Sequence, residues 1–335
     1  MPKDNENIPF LGPVEPSEPQ GFPAEQMIRC EECLRANPPT RVSCLYCVAP
    51  LPLTETSARL IKPVLRPPEK HQVGYNNILL PQDQVVADSV IADAAALLKL
   101  SVENVRDVIS QSVALPVTRT ASRVEAELVT DRLRELGLNC VAVSDDELGD
   151  AVRRVRSMTF DEVSLTINQA GTAQQTRVLW SDIVLIVTGR FFETRVEITE
   201  RMTRKPENEI LDTSEFFSDE FVIDFYTATH SSTWRVGGSG FDFSCLGREK
   251  ALVVNQNMSK LLDLITAKSL NAKVDDSYAR VRNLLELAWT TQPVTQSSGW
   301  RRERPGKLSV GVSTTRSNEV QFTRYSRLRY YLSRG

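Results

Sequence analysis

The sequence predicts a multidomain α+β protein, and three observations carry that expectation. Residues 27–53 hold four of the six cysteines in a C-x2-C-x10-C-x2-C arrangement. Residues 75–147 place apolar side chains at helical spacing between short apolar runs, which predicts a small βααβαβ domain. From Phe160 onward the apolar residues alternate with polar ones. That period predicts an antiparallel β-barrel, followed by an amphipathic helix that closes it.

The cysteine stretch comes first. Cys30, Cys33, Cys44 and Cys47 form two C-x2-C pairs, each able to wrap a tight knuckle that aims two thiolates at one point. Pro38 and Pro39 turn the chain between them. Four thiolates in a tetrahedral cage suit Zn(II) best, and one Zn(II) per chain is expected. Such a closed site leaves no open position for a substrate, so its expected role is structural. Asn37, Pro38, Pro39 and the ending Ala49-Pro50-Leu51-Pro52 resemble the short zinc ribbons found at the ends of many bacterial multidomain proteins. Those ribbons usually place glycine after each knuckle, where a positive φ is needed. Here Leu34 and Val48 stand instead.

Residues 1–26 are acidic and proline-rich and are expected to form a disordered leader. Residues 54–74 read as a proline-bearing linker, with His71 as a solvated side chain.

In 75–147, Tyr75–Pro81 reads as a strand and Asp83 or Asp88 as the cap of a helix reaching about Leu100. Ser101 caps a second helix. Leu115–Thr120 is a strand, and Ser122 caps a helix that Gly137 ends. Leu138–Val143 closes the set, with Cys140 as a core thiol. This element order resembles the C-terminal domain of the bacterial ribosomal stalk protein and the adaptor ClpS. Thr118–Ala121 and Glu125–Glu127 also look like small bacterial signalling domains. The resemblance implies a protein-binding module. The lysine-rich factor-binding helix of the stalk protein has no counterpart, since the second helix carries Glu103, Arg106 and Asp107.

Residues 148–290 are expected to form the barrel and its helices. The segment 148–160, with Arg153, Arg154 and Arg156, reads as a solvated helical bridge. Strands are expected at 163–167, 176–180, 183–188, 195–199, 220–226, 233–236 and 241–245, then a helix capped by Asn257 and a second capped by Asp275-Asp276. Trp180 and Ile183 sit where pleckstrin-homology-like (PH-like) barrels often carry a Trp-x-x-Ile step, and the whole resembles such a barrel. The basic first hairpin that lipid-headgroup binders use is missing from 168–174, so phosphoinositide binding is not implied. Gly237–Gly240 reads as a hairpin loop, because no helix N-terminus follows to make a phosphate cradle. Asp224, His230 and Ser231 read as strand-end residues rather than a triad. Glu207–Asp224 carries seven acids and no base, interleaved with Phe216 and Phe217, and reads either as a solvated loop or as a contact for a basic partner.

Residues 291–335 are expected to form a basic tail. From Trp300 it carries nine bases against two acids, whereas the whole chain has a net charge of −3. Arginines interleaved with aromatic rings suit phosphates and bases, so Arg301, Arg302, Arg304, Arg324, Arg327 and Arg329 are candidate polyanion contacts. The competing readings are a hairpin of Val320–Thr323 and Leu328–Tyr330 packed on the domain, and a segment lying on an anionic membrane surface.

These expectations point to a cytoplasmic bacterial regulatory or scaffold protein that binds other proteins. The competing class is a nucleic-acid- or ribosome-associated protein that uses the ribbon and residues 300–335. An enzyme is the weakest class, because two histidines and no phosphate loop leave little with which to build a catalytic site. No stretch is apolar enough for a transmembrane span.

Overall fold

The computed structural model describes residues 21–69, 72–149, 151–172, 174–201, 209–228, 233–304 and 307–334. Most of the expected leader, and His71, lie outside them. The chain divides into two units, residues 1–62 and 63–335.

The first unit is built around the cysteines. Two-residue strands β1 (Ile28–Arg29) and β2 (Ala36–Asn37) pair antiparallel. Their small core is Ile28, Cys30, Cys44 and Leu51. Part of the expected linker is then helical. Thr54 caps α1 (Glu55–Leu60) through a reciprocal pair of hydrogen bonds with Ser57, the local chemistry that starts a helix here.

In the second unit, residues 63–69 are a strap rather than a free linker. The amides of Val64 and Leu65 both donate to the buried carboxylate of Glu125 at 2.7 Å. The elements that follow are β3 (Tyr75–Leu79), α2 (Asp88–Leu98), α3 (Val102–Ser110), β4 (Leu115–Thr120), α4 (Arg123–Glu135) and β5 (Cys140–Ser144). Ser101 caps α3 through the Asn104 amide, and Gly137 takes a φ of +85° just past α4. Neither Asp83 nor Asp88 caps α2, whose N-cap is Ala87. The sheet order is β4-β3-β5. Pro116 is tolerated because β4 is an edge strand. Central β3 carries two buried asparagines. Asn76 bonds the Val143 carbonyl, Asp145 and the indole of Trp289, and Asn77 bonds Ala126 and Thr130.

The larger sheet is a curled half-barrel of nine strands: β6 (Val152–Phe160), β7 (Ser164–Gln169), β8 (Gln175–Leu179), β9 (Ile183–Arg201), β10 (Glu209–Thr227), β11 (Thr233–Gly237), β12 (Lys273–Asp275), β13 (Val294–Arg304) and β14 (Lys307–Ser317). Its order is β13-β14-β9-β10-β11-β6-β7-β8, with β12 beside β9. The expected all-antiparallel pairing is corrected at two places. β11 runs parallel to β6, and β12 runs parallel to β9 after the crossover through α5 (Val254–Lys268).

The unbroken apolar run in β9 has a simple cause: the sheet is covered on both faces. Along β10, Val222, Asp224 and Tyr226 face one side, and Ile223 and Phe225 the other. The first side packs on the βααβαβ elements, α6 (Tyr278–Leu285) and α7 (Glu319–Ser333). The second packs on β6–β8 and on Met258, Leu261 and Ile265 of α5. The first core therefore runs across the expected boundary at residue 147. Asp224, buried on that side, is held by Arg235 through two hydrogen bonds of 2.7 and 2.8 Å. Arg235 in turn lies over the rings of Phe191 and Phe322.

Three charged segments differ from expectation. Residues 152–160 form strand β6, with Arg153 over Trp234 and Arg154 paired to Glu319; an irregularity between Val155 and Ser157 lets Val155 and Met158, three apart, both be buried. Residues 209–219, read as loop, continue β10, since β9 supplies a paired partner along their whole length. Residues 294–333, read as a linker end and tail, form the hairpin β13–β14 and then helix α7, and the alternative hairpin of Val320–Thr323 with Leu328–Tyr330 is corrected, since both segments lie within α7. Phe322, Tyr325 and Leu328 of α7 are fully buried. Gly189 on β9 lets this helix approach, because a Cβ there would collide with the ring of Phe322.

Candidate metal centre

Two copies of one backbone turn make the site. In the first, the Cys30 amide donates to Arg35 O and the Leu34 amide donates back to Cys30 O, at 3.0 and 2.9 Å. In the second, Cys44 and Val48 repeat this with Ala49 O and Cys44 O, at 2.8 and 3.1 Å. Both turns need a left-handed residue four places after their start. Leu34 (φ 59°) and Val48 (φ 64°) supply it although neither is glycine. With both side chains exposed, only the local backbone clash opposes the conformation.

The turns bring the four sulfurs together. Cys30 Sγ lies 3.6 Å from Cys47 Sγ, and Cys33 Sγ lies 3.5 Å from Cys44 Sγ. All four fall within 4.8 Å of one another. The thiols are free rather than disulfide-bonded. Four ligands at a Zn–S distance of about 2.3 Å stand about 3.8 Å apart at the corners of a tetrahedron, so the cluster has the size the ion requires. Cys30, Cys33, Cys44 and Cys47 are thus a potential metal site.

Asn37 sits buried at the back of the cluster. Its Oδ1 accepts from the Leu45 amide, and its Nδ2 donates to Arg35 O and to Cys44 Sγ. The Tyr46 amide also points at Cys44 Sγ, at 3.4 Å. Burial opposes ionisation of Cys44, yet the donors of Cys47, Tyr46, Cys33 and Asn37 outweigh it and bring the thiol down to about 6. Cys47 goes the other way. The Ala49 amide favours its thiolate, but burial and the three neighbouring sulfurs push it up to about 12. A dication relieves that crowding of charge. In the sequence the Asn-Pro-Pro turn is the signal for Asn37, and it does not announce this holding role.

Cys140 and Cys245 take no part. Burial raises each thiol to about 11.

Three of the candidate polyanion contacts are engaged within the fold. Arg327 is buried and stacks over Tyr226. Arg329 pairs with Asp275 and lines a cleft of about 1350 Å³ with Arg134 and Lys273. Arg324 lies 3.9 Å from Asp145, and burial together with Arg119 lowers its guanidinium below the ordinary value. The side chains of Arg301, Arg302 and Arg304 lie outside what the structure describes, as do His230 and Ser231. Gly237–Gly240 is a bend whose Ser239 amide is already given to Glu220, which leaves it unlike an empty phosphate loop.

Among the described residues no helix is long and apolar enough to cross a membrane. No protein-family model, no curated protein and no solved structure matches the chain.

Proposed function

We propose that the chain is a regulatory or scaffold protein that works by binding other proteins, with a structural Zn(II) in a ribbon formed by residues 27–53. The observation that carries the reading is the closed four-sulfur cluster. When bound, the metal supplies folding energy to a segment with four core side chains, and four cysteines leave no coordination position for chemistry. Cys30, Cys33, Cys44 and Cys47 would hold it, and Asn37 would orient Cys44. The likeness of the βααβαβ elements to adaptor domains, and of the half-barrel to PH-like domains, supports a binding role for the rest. The nucleic-acid reading loses weight because Arg324, Arg327 and Arg329 are spent on contacts within the chain.

The test begins with elemental analysis of full-length protein purified without chelator, with its ultraviolet spectrum recorded on the same sample. One zinc per chain and no co-purifying nucleic acid are expected. Cys44→Ser should lose the metal and, with it, the partners recovered by quantitative cross-linking to the wild type. Iron or no metal would overturn the zinc assignment. Salt-sensitive nucleic-acid binding would replace the protein-binding reading with its competitor.

A further inference from the structure

The outer part of the large sheet ends in two strand edges of opposite charge. β11 covers β10 only from about Val222 onward. Before that, among the described residues, β10 has β9 on one side and no strand on the other. From Glu209 to Asp219 the sequence carries four acids and no base. Ile210, Phe216 and Phe217 are 63 %, 53 % and 68 % exposed there. At the other end of the order, among the described residues, β13 pairs with β14 alone. It carries Arg301, Arg302 and Arg304 against the single acid Glu303.

Strand directions decide what these edges can do. β13 with β14, β14 with β9, and β9 with β10 are all antiparallel, so β13 and β10 run in opposite directions. A second copy displaced sideways in the plane of the sheet presents its β13 antiparallel to β10, and the ladder continues without a break. Glu209, Arg201, Ser309 and Arg301 stand on one level across the four strands. The register needs a slide of about six residues along the edge, which brings Arg301 from the level of Glu209 to that of Glu215. Within one chain β14 and β9 separate the acidic strand from the basic one, so a contact between them is a contact between chains.

Charge then selects among the possible pairings. β10 on β10 sets acids against acids, and β13 on β13 sets arginines against arginines; like charges across strands are destabilising. β10 on β13 sets Asp212 and Glu215 against arginines, Asp219 being already paired to Arg190 of β9. A bulge between Ile210 and Asp212 bends the tip, leaving Asp212–Asp219 as the regular stretch on offer. That is longer than a typical strand pairing needs. Exposed edges of this length are the ones that recruit another strand unless something covers them.

We infer that copies of this chain associate head to tail, the β13 edge of one copy adding to the β10 edge of the next. The contact joins two different surfaces, so it does not close on a two-fold axis and repeats from copy to copy. It uses none of the cysteine site and stands or falls independently of it.

Sedimentation of the full chain at low salt, from micromolar to near-millimolar concentration, tests this. The expected result is a mean mass that climbs beyond a dimer with concentration and falls back as salt is added. Two variants separate the edges. Asp212→Lys/Glu215→Lys spoils the acidic edge, and Arg301→Glu/Arg302→Glu spoils the basic one. Each alone should be monomeric with wild-type circular dichroism and melting. An equimolar mixture should form a dimer and nothing larger, because each variant keeps the edge the other lacks. A wild type that stays monomeric, or stops at a dimer, overturns the inference. So does either variant associating like the wild type, or a mixture that fails to pair.

Discussion

Leu34 and Val48 stand at the same place in two successive knuckles, each giving its amide to the carbonyl of the cysteine four residues before it and each held at a positive φ. A residue with a Cβ loses roughly 1–2 kcal/mol in that conformation, and a β-branched one fits it worst. Val48→Gly is therefore expected to stabilise the folded knuckle by about 1 kcal/mol, net of the entropy a glycine adds to the unfolded chain. Competition with a chromogenic chelator should show the variant releasing zinc more slowly than the wild type. Faster release would mean that the strain is relieved in some other way.

Metal removal should act locally. The cysteine unit has a core of four side chains, whereas residues 63–335 have two large cores of their own. All four tryptophans, Trp180, Trp234, Trp289 and Trp300, fall after residue 62. Chelation is expected to abolish hydrogen-exchange protection at Cys30, Leu34, Cys44 and Val48 while leaving tryptophan emission unchanged. A shift in emission would show that the metal also supports the larger unit.

Acid should loosen the larger unit through two carboxylates. Burial would raise Asp145 and Asp275, but Arg119, Asn76 and Arg324 hold the first below the usual carboxylate range, and Arg329 and Ser277 hold the second there. A carboxyl depressed in the folded state adds stability above its unfolded pKa, and that stability is lost as pH falls through the folded value. Urea unfolding followed by tryptophan emission should thus give a flat stability near neutral pH and a fall below about pH 4, the unfolded carboxyl value. For Asp145→Asn the gap to wild type should narrow as pH falls. A gap that stays constant would assign the effect to packing alone.

Gly189→Ala should push α7 off the sheet. The added Cβ meets the rings of Phe322 and Tyr278, both packed in the core. Overpacking of this kind costs about 1–3 kcal/mol. Adding Phe322→Leu should recover part of that loss, and a denaturant midpoint for each single variant and the double would show the coupling.

Much of the candidate site was legible because its chemistry lies in residue types at fixed spacing. Cysteines two apart need little beyond a turn to converge. The order of elements from Tyr75 to Ser144 was legible for a related reason: each has its own local signal, such as Ser101 as a cap or Gly137 as a stop. Helix α7 was not. Its arginines and tyrosines lower the contrast between faces, and Phe322, Tyr325 and Leu328 show their three-residue spacing only once the buried side is known. The first half of β10 was hidden by its acids, which favour a loop when taken alone. There the decision is made by β9, a partner whose pairing no local pattern announces.

The indole of Trp289 rests on Asn76, 213 residues earlier in the chain. At a synthesis rate of about 5–20 residues per second, ~10–40 s pass between the appearance of β3 and the arrival of Trp289. For that interval the newborn chain holds an unfinished apolar surface, of the kind that chaperones exist to shield. Completion of this core is thereby tied to the end of synthesis, since Phe322, Tyr325 and Leu328 belong to it as well.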